Sequence, residues 1–392
     1  MKRIAVIGAG AAGCFCAAEL RRRLPTVKVD VYESGPKPLA KVAITGGGRC
    51  NLTNSFEGIR SLGEAYPRGE RLMKRLLRVF SQEDTWRWFE DAGVPLVLQD
   101  DHCVFPRSQD AMDIVHALLR RMEGVNLLLR TPVHSIGPDL TVDGEAYDAV
   151  VVTTGGAPKG LPLLEGLDLE WVPTAPSLFT FTIQDEGLRA LMGLVVEATV
   201  SIPGTTFKAD GPLLITDWGL SGPAVLKLSS YAARHLHDAG YKAPLSVNWL
   251  SLSEAETRAL LEELSTANPR KQVSNTPPAG LQARLWNYLT VKAGLRLDIR
   301  WAELGSKGLN KLVNTLAQDS YTIAGKTKFR DEFVTCGGVA LSNLNPATLE
   351  SKQYPGLYFA GEVLDIDAIT GGFNLQAAWT TGYVAAQSIA SK

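Results

Sequence analysis

An α/β fold organised around a parallel nucleotide-binding sheet is predicted, and three stretches of sequence predict it. The first is Ile4-Ala-Val-Ile-Gly-Ala-Gly-Ala-Ala-Gly13, an apolar strand running into G-x-G-x-x-G. The second is a strand, Val27–Tyr32, that ends at Glu33, about twenty residues beyond the glycines. The third lies near the other end of the chain. It reads Gly356-Leu-Tyr-Phe-Ala-Gly-Glu-Val-Leu-Asp365, then Gly371-Gly-Phe-Asn-Leu-Gln376 and a helical tail.

Taken in order, Arg3–Ile7 is continuously apolar, as expected of a parallel strand buried on both faces. Gly8 permits the tight turn, Gly10 lets backbone approach a pyrophosphate, and Gly13 lets helix pack closely on strand. A helix over Ala11–Leu24 follows and aims its positive end at phosphate. Gly8, Gly10, Ala12 and Gly13 are the candidate phosphate contacts. Glu33, at the end of the second strand, suits the ribose hydroxyls of an adenosine. The Arg21–Arg23 run complements the helix dipole at its C-terminal end. The domain is therefore Rossmann-like.

Lys41-Val-Ala-Ile-Thr-Gly-Gly-Gly-Arg-Cys-Asn51 comes next and is expected to be a loop. Three successive glycines cost backbone entropy and allow close approach to a flat or anionic group. Lys41, Thr45, Gly46, Gly47, Gly48, Arg49, Cys50 and Asn51 are candidate cofactor contacts, with Thr53 and Asn54 as further donors. Cys50 lacks the partner of a C-x-x-C pair and is expected to pack rather than react. Val125–Arg130, Leu140–Val142 and Tyr147–Thr154 read as further strands of this domain, the last closing on Thr153-Thr-Gly-Gly156. Val133 and Thr154, Gly155 and Gly156 are candidate cofactor contacts.

Between Gly160 and about Phe333 the pattern changes. Ser177–Ile183, Val195–Ile202 and Leu213–Thr216 have strand length and alternation, with Pro and Gly between them. Ser253-Glu-Ala-Glu256 reads as a helix start, and helical periodicity continues through Leu264, Gln282–Ala293 and Lys307–Leu316. Asn268–Gly280 is expected to be a loop. The domains expected are 1–160 with 334–392, a β-rich insertion over 161–249 with 318–333, and a helical subdomain over 250–317. Trp218, Phe207 and Tyr321 of the insertion are either pocket or core residues.

The late strand–glycine–acid segment is what moves the reading from any dinucleotide to FAD. Leu357–Ala360 is a short buried strand, and Gly361-Glu362 suits the ribityl chain. Asp365 and Asp367 either bind ribityl hydroxyls and cap turns or form an acid–base pair or a metal site; with Arg49 they are the catalytic candidates. Gly371, Gly372, Phe373, Asn374 and Leu375 open the final helix, which is expected to reach Ala390. Its free N–H groups suit the flavin edge that gains negative charge on reduction. Asn374 and Gln376 are candidate side-chain contacts. Cys336 in Cys336-Gly-Gly338 again lacks a partner thiol.

Lys41–Asn54 (KVAITGGGRCNLTN) and Phe333–Gly382 resemble blocks of a bacterial flavoprotein family labelled aminoacetone oxidases or NAD(P)/FAD-dependent oxidoreductases. Pro176-Ser-Leu178, Gly219-Leu-Ser-Gly-Pro223, Asn268-Pro-Arg-Lys271 and Trp301-Ala-Glu-Leu304 are similar to further blocks. The resemblance covers nearly the whole chain. It implies an FAD domain of the glutathione-reductase type, interrupted by a β-rich domain and a helical domain. Ala157-Pro-Lys-Gly160 is shorter than the corresponding loop of many members, which bears on the substrate and not on the FAD motifs.

Bulk properties narrow the rest. The chain has 392 residues, 45% hydrophobic and 21% charged, as in an ordinary multidomain enzyme. A formal net charge of −1 gives no global attraction to nucleic acid or to anionic membrane. No apolar run matches a membrane span, and the apolar stretch after Met-Lys-Arg is too short for a secretory signal. Five cysteines without regular spacing suggest a reducing cytoplasm, and no metal spacing is present. No second G-x-G-x-x-G follows a strand, so NAD(P)H is expected at most as a transient reductant. His235 and His237 flank a helix end. The expected activity is hydride exchange between flavin N5 and a small organic molecule, by amine or aminoketone oxidation or by reduction of an activated C=C bond. The alternative is an FAD-binding, redox-responsive regulatory protein with little turnover. Oligomeric state is unreadable.

Overall fold

The structure, a computed structural model, describes residues 3–156, 161–327 and 334–392. The loop Ala157–Gly160 and the residue Phe333 lie outside the described residues. The chain divides into two units, Met1–Pro176 with Val334–Lys392, and Ser177–Phe333.

The first unit is built on a five-stranded sheet. Its strand order is Leu357–Phe359, Ala149–Val152, β1 (Arg3–Ile7), β2 (Lys28–Tyr32) and Asn126–Leu128. All neighbours run parallel, with Ile4 opposite both Val29 and Ala149. Ile4, Ala5, Val6, Val150, Val151 and Val152 have no exposed surface, which is why these strands are apolar without alternation. Helix α1 (Ala11–Arg23) follows β1, and the C-terminal helix Phe373–Ala390 packs against it. Small residues permit that closeness: a Cβ on Gly382 would lie 2.7 Å from the Ala12 carbonyl oxygen. A core of Phe15, Phe80, Phe89 and Trp379 fills the space beside them. A three-stranded antiparallel sheet of Thr53–Asn54, Cys103–Pro106 and Leu96–Leu98 belongs to the same unit.

The strands read from the sequence are shorter than expected at several ends. Tyr147–Thr154 contracts to Ala149–Val152, and Leu140–Val142 to a two-residue strand paired with Glu145–Ala146. The glycine-rich stretch is not wholly a loop. Ala40–Ile44 forms a helical turn before the glycines begin, because nothing in Ala-Lys-Val-Ala-Ile opposes a helix until Gly46.

The second unit is a closed antiparallel barrel. Its order is Phe181–Ile183, Gly219–Ser221, Lys208–Thr216, Val195–Ser201, Ala243–Asn248 and Asp319–Lys326, closing on Phe181–Ile183. Helices Glu254–Ala267, Ala283–Lys292 and Trp301–Ala317 share one core with it. Trp249, Trp286 and Leu312 lie in that core with Val200 and Ile215, so the helices complete the barrel's packing rather than forming a subdomain of their own. The division falls after Pro176, and Trp171–Ser177 pairs with Val334–Val339, so the chain leaves and re-enters on adjacent strands. Phe207 packs against the core, Tyr321 is 7% exposed, and Trp218 donates to Thr180 Oγ1 at 3.2 Å, which gives all three packing roles.

Candidate cofactor-binding site

The turn after β1 is shaped by glycine where nothing else fits. Gly8 has φ +109°, and a Cβ there would sit 2.6 Å from the Thr153 carbonyl oxygen. A Cβ on Gly13 would lie 1.9 Å from the Gly8 carbonyl oxygen and 2.5 Å from Thr153 Oγ1. Gly10 differs: its Cβ would meet nothing within 4 Å, so this face of the turn is open. Gly10 caps α1 without a side chain, and no acid stands in the first turn. The unbonded N–H groups and the dipole there make a receptor for an anion. Glu33 hangs over the same turn, its carboxylate accepting from Ala9 N at 3.0 Å and from Gly35 N at 2.7 Å.

Three remote segments close in beside it. Thr131 N donates to Glu33 O at 2.9 Å, setting Val133 near the end of β2. Val133 itself has no hydrogen-bond partner among the described residues. Glu362 accepts from Thr335 N at 2.8 Å and stands 3.6 Å from Lys41 Nζ. A Cβ on Gly156 would lie 2.8 Å from Glu362 Oε1, and one on Gly361 2.8 Å from Ala12 Cβ. Gly46, Gly47 and Gly48 have φ of +62°, +70° and +84°, and a Cβ on either of the last two would meet open space. Thr45 Oγ1 is turned back on Lys41 O at 2.9 Å. Arg49 lies over the Phe105 ring, 4.6 Å from its centroid, and donates to Gly46 O. Cys50 is fully buried, and burial pushes its thiol up to about 12. It is a packing residue with no thiolate to offer at neutral pH.

The final helix begins at a second left-handed turn. Gly371 and Gly372 have φ of +123° and +90°, and a Cβ on Gly372 would lie 2.4 Å from Thr53 O. No side chain caps this helix and no acid stands in its first turn. Phe373 is buried against Phe56 and Tyr66, leaving its backbone N–H as its polar resource. Leu375 is partly buried against the core.

Two expected side-chain contacts are otherwise engaged. Asn374 exchanges hydrogen bonds with Ala368 N and O, both at 2.9 Å, and so shapes the turn before the helix. Gln376 has no exposed surface; it bonds Thr53 Oγ1 at 2.5 Å and Thr380 Oγ1 at 3.0 Å. Asp365 and Asp367 separate in role. Asp367 is fully buried and takes a two-pronged ion pair from Arg68. Asp365 is half-buried and accepts from Gly337 N at 3.1 Å. Sequence reasoning missed Arg68. Its partner lies 299 residues away, and no local signal marks it. Around the pair, Ile369 N donates to Ala65 O at 2.9 Å and Tyr66 OH to Phe373 O at 2.9 Å. The ion pair thus clips segment 65–69 to the turn that starts the last helix.

The fit to FAD rests on polar groups left over as well as on open glycines. Thr154 Oγ1 and Asn51 Oδ1 are buried with no partner, one in the segment facing Glu362 and the other beside Gly372. Buried hydroxyls and amides are ordinarily paired. The first unit therefore carries two helix N-termini free of acids and side-chain caps, at Gly10 and Gly372, with the carboxylates of Glu33 and Glu362 among the residues around them. No group of three or more potential metal ligands occurs among the described residues. No described helix is long and apolar enough to cross a membrane.

Fold and site together define an FAD-dependent oxidoreductase with a Rossmann-type cofactor domain. Comparison with known proteins agrees. Residues 2–388 match the HI0933-like protein Rossmann domain, and the chain belongs to that family. It is 31% identical, over 98% of this chain and 97% of the relative, to the ribosomal RNA dihydrouridine synthase of Escherichia coli strain K12. It is 27% identical, over the whole of both chains, to the 3-dehydro-bile acid delta(4,6)-reductase of Clostridium scindens. The solved 3-ketosteroid delta1-dehydrogenase of Sterolibacterium denitrificans superposes over all of both chains with TM-score 0.50 at 15% identity, a likeness of fold.

Proposed function

We propose that this protein is an FAD-dependent reductase of a carbon–carbon double bond conjugated to a carbonyl, and that its substrate is a uracil base within RNA. The observation that carries the reading is full-length similarity to two kinds of enzyme whose named substrates share little else. Dihydrouridine arises by saturating the uracil double bond next to a carbonyl, and a delta(4,6)-reductase of a 3-dehydro-bile acid acts on double bonds conjugated to a ketone. The RNA assignment follows the relatives of Escherichia coli and Haemophilus influenzae, at 31% and 29% identity.

When bound in its two-electron-reduced form, FAD would supply a hydride from N5 to the carbon β to the carbonyl, a proton completing the neighbouring carbon. The chain's own residues would hold and tune it. The turn of Gly8, Gly10, Ala12 and Gly13 receives the pyrophosphate, with Glu33 on the adenosine ribose and the Val133 backbone at adenine. Gly155, Gly156, Thr154, Gly361 and Glu362 border the ribityl chain, with Lys41 holding Glu362 in place by its charge. The stretch Thr45–Asn51 and the N–H groups of Gly372, Phe373, Asn374 and Leu375 border the ring. A helix end lowers the free energy of a negative charge placed before it, which favours the reduced flavin. NAD(P)H is the proposed source of electrons, acting transiently.

Anaerobic stopped flow tests the reading. The bound flavin is reduced with NADPH, or with dithionite, and mixed with uridine-containing RNA or with a cyclic enone. The expected result is recovery of the oxidised flavin spectrum without oxygen, with the gain of two hydrogens in the product by mass spectrometry. Rapid reduction of the oxidised flavin by amines or aminoketones, with no reoxidation by either acceptor, would overturn it.

A further inference from the structure

The helix Glu70–Leu76 and the turn that continues it to Phe80 carry a feature the flavin site does not use. Arg71, Lys74, Arg75 and Arg78 are all exposed. Their spacing of three, four and seven residues puts them on one face of a helix. Leu72, Met73 and Leu76 occupy the opposite face and are buried. None of the four cations is ion-paired among the described residues, although the chain as a whole carries 41 acidic against 40 basic residues. Like charges at these spacings oppose helix formation. Lys74 and Arg75 complement the dipole at the helix C-terminus, but Arg71, in the first turn, is not accounted for in that way.

The stripe continues into a second feature. Immediately after Phe80 the helix Gln82–Asp91 begins. Its Gln82, Trp86 and Arg87 line a surface cleft together with Asn54. Trp86 is half-buried and offers an aromatic surface, and Gln82 offers an amide; Asn54, at the cleft floor, is engaged with Gly371 O and Phe56 N, and Glu57 and Glu83 stand at the same cleft. Cations that track a backbone, next to an aromatic surface and amide edges, are the two parts of a site for single-stranded nucleic acid. The stripe spans about 10 Å, the length over which one strand of a duplex carries about three phosphates.

The stripe is also tied to the redox end of the cofactor domain. Arg68, one residue before the helix cap Gly69, is the partner of Asp367, and Asn54 Nδ2 donates to Gly371 O at 3.0 Å. We infer that Arg71, Lys74, Arg75 and Arg78, with the Trp86 cleft, form the docking surface for the RNA strand that carries the substrate base. The inference rests on the RNA reading above and gives it a location.

The test uses the full-length flavoprotein and a fluorescein-labelled, mixed-sequence 16-nucleotide single-stranded RNA, with fluorescence anisotropy at 50, 100 and 200 mM KCl. The variant R71Q/K74Q/R75Q/R78Q is expected to bind at least tenfold more weakly at 100 mM. Its slope of log affinity on log salt should be shallower by about 3, since each neutralised phosphate contributes about 0.7 on a single strand. The variant R71K/R75K/R78K, which keeps every charge, should retain the wild-type slope, and Trp86→Ala should lose affinity with the slope unchanged. Bound flavin per protein reports that each variant is folded. Absence of RNA binding by the wild type at 50 mM, or an unchanged slope in the glutamine variant, overturns the docking surface. Reoxidation of reduced flavin by a small cyclic enone is followed in parallel. Enone reduction with an unchanged slope sinks the surface and spares the reaction; a lost slope with no double-bond reduction spares the surface and sinks the reaction.

Discussion

Replacing Asp367 with Asn tests whether this carboxylate is a proton carrier or a clamp. Asp367 has no exposed side-chain surface and the Arg68 side chain is 15% exposed, so the substitution removes the carboxylate paired with a largely buried guanidinium and leaves only the more distant charge of Asp365. Breaking one side of a buried ion pair typically costs about 3–5 kcal/mol. For a unit of this size each kcal/mol moves the midpoint by about 2–4 °C, so loss of flavin fluorescence quenching on heating should come about 6–20 °C earlier. The double variant R68M/D367L removes both charges and fills the space with apolar atoms. It should recover most of that loss, because an apolar pair of similar volume is often as stable as the ion pair it replaces. The assay is a thermal scan of all three proteins with flavin release as the probe, alongside the pH dependence of turnover. A shift under about 3 °C for D367N, with an altered pH–rate profile, would refute the clamp and restore Asp367 as an acid or base.

The other expectations are narrower. Gly13→Ala should yield a protein without flavin, since its Cβ would fall 1.9 Å from the Gly8 carbonyl oxygen; the ratio of visible to ultraviolet absorbance measures this. Glu33→Ala should weaken FAD binding by roughly 10- to 150-fold, the equivalent of about 1.5–3 kcal/mol for hydrogen bonds to a charged group, read by titrating the apoprotein with FAD. Cys50→Ser should retain turnover, and Cys50 in the native protein should resist iodoacetamide from pH 6 to 9, because burial pushes its thiol up to about 12. Burial pushes the Asp30 carboxyl up, but hydrogen bonds from Asn126, Arg3 and Tyr147 outweigh it and hold it below its ordinary value. A carboxyl depressed in the folded state stabilises above its unfolded value, about 3.9, and that stabilisation is lost as pH falls below it. Asp30→Asn should therefore lower stability at pH 7 and flatten the loss of stability on acidification below about pH 4, as followed by urea denaturation at a series of pH values.

The parts of the fold that a reader of the sequence can find are those whose cause is local. Ile4–Ile7 is apolar throughout because the strand is buried on both faces, and the glycines at 8, 13 and 372 sit where an added Cβ would collide with backbone. Barrel closure is not local: it depends on Phe181–Ile183 pairing with Asp319–Lys326 through a register shift at Thr182 and Ile183. Helix Trp301–Ala317 starts six residues before its clear periodicity because Gly305, at φ +60°, interrupts the pattern. Within the site, the glycines announce themselves, whereas the fates of Asn374 and Gln376 depend on Ala368, Thr53 and Thr380, which a sequence does not bring together. Arg68 and Asp367 illustrate the limit most clearly, since neither half of the pair has meaning without the other.

The cofactor domain is assembled from both ends of the chain, and this sets an order of events at the ribosome. β1 and α1 are made more than 300 residues before the strand Leu357–Phe359 at the sheet edge and the helix Phe373–Ala390 that packs against α1. At about 5–20 residues per second, α1 waits roughly 20–70 s for the helix that covers it. During that interval Phe15, Leu20 and the apolar side of the sheet have no permanent cover, which makes the nascent chain a client for holding chaperones. The barrel unit, Ser177–Phe333, is synthesised in the interval. A chain cut short before Phe373 lacks the helix that packs on α1.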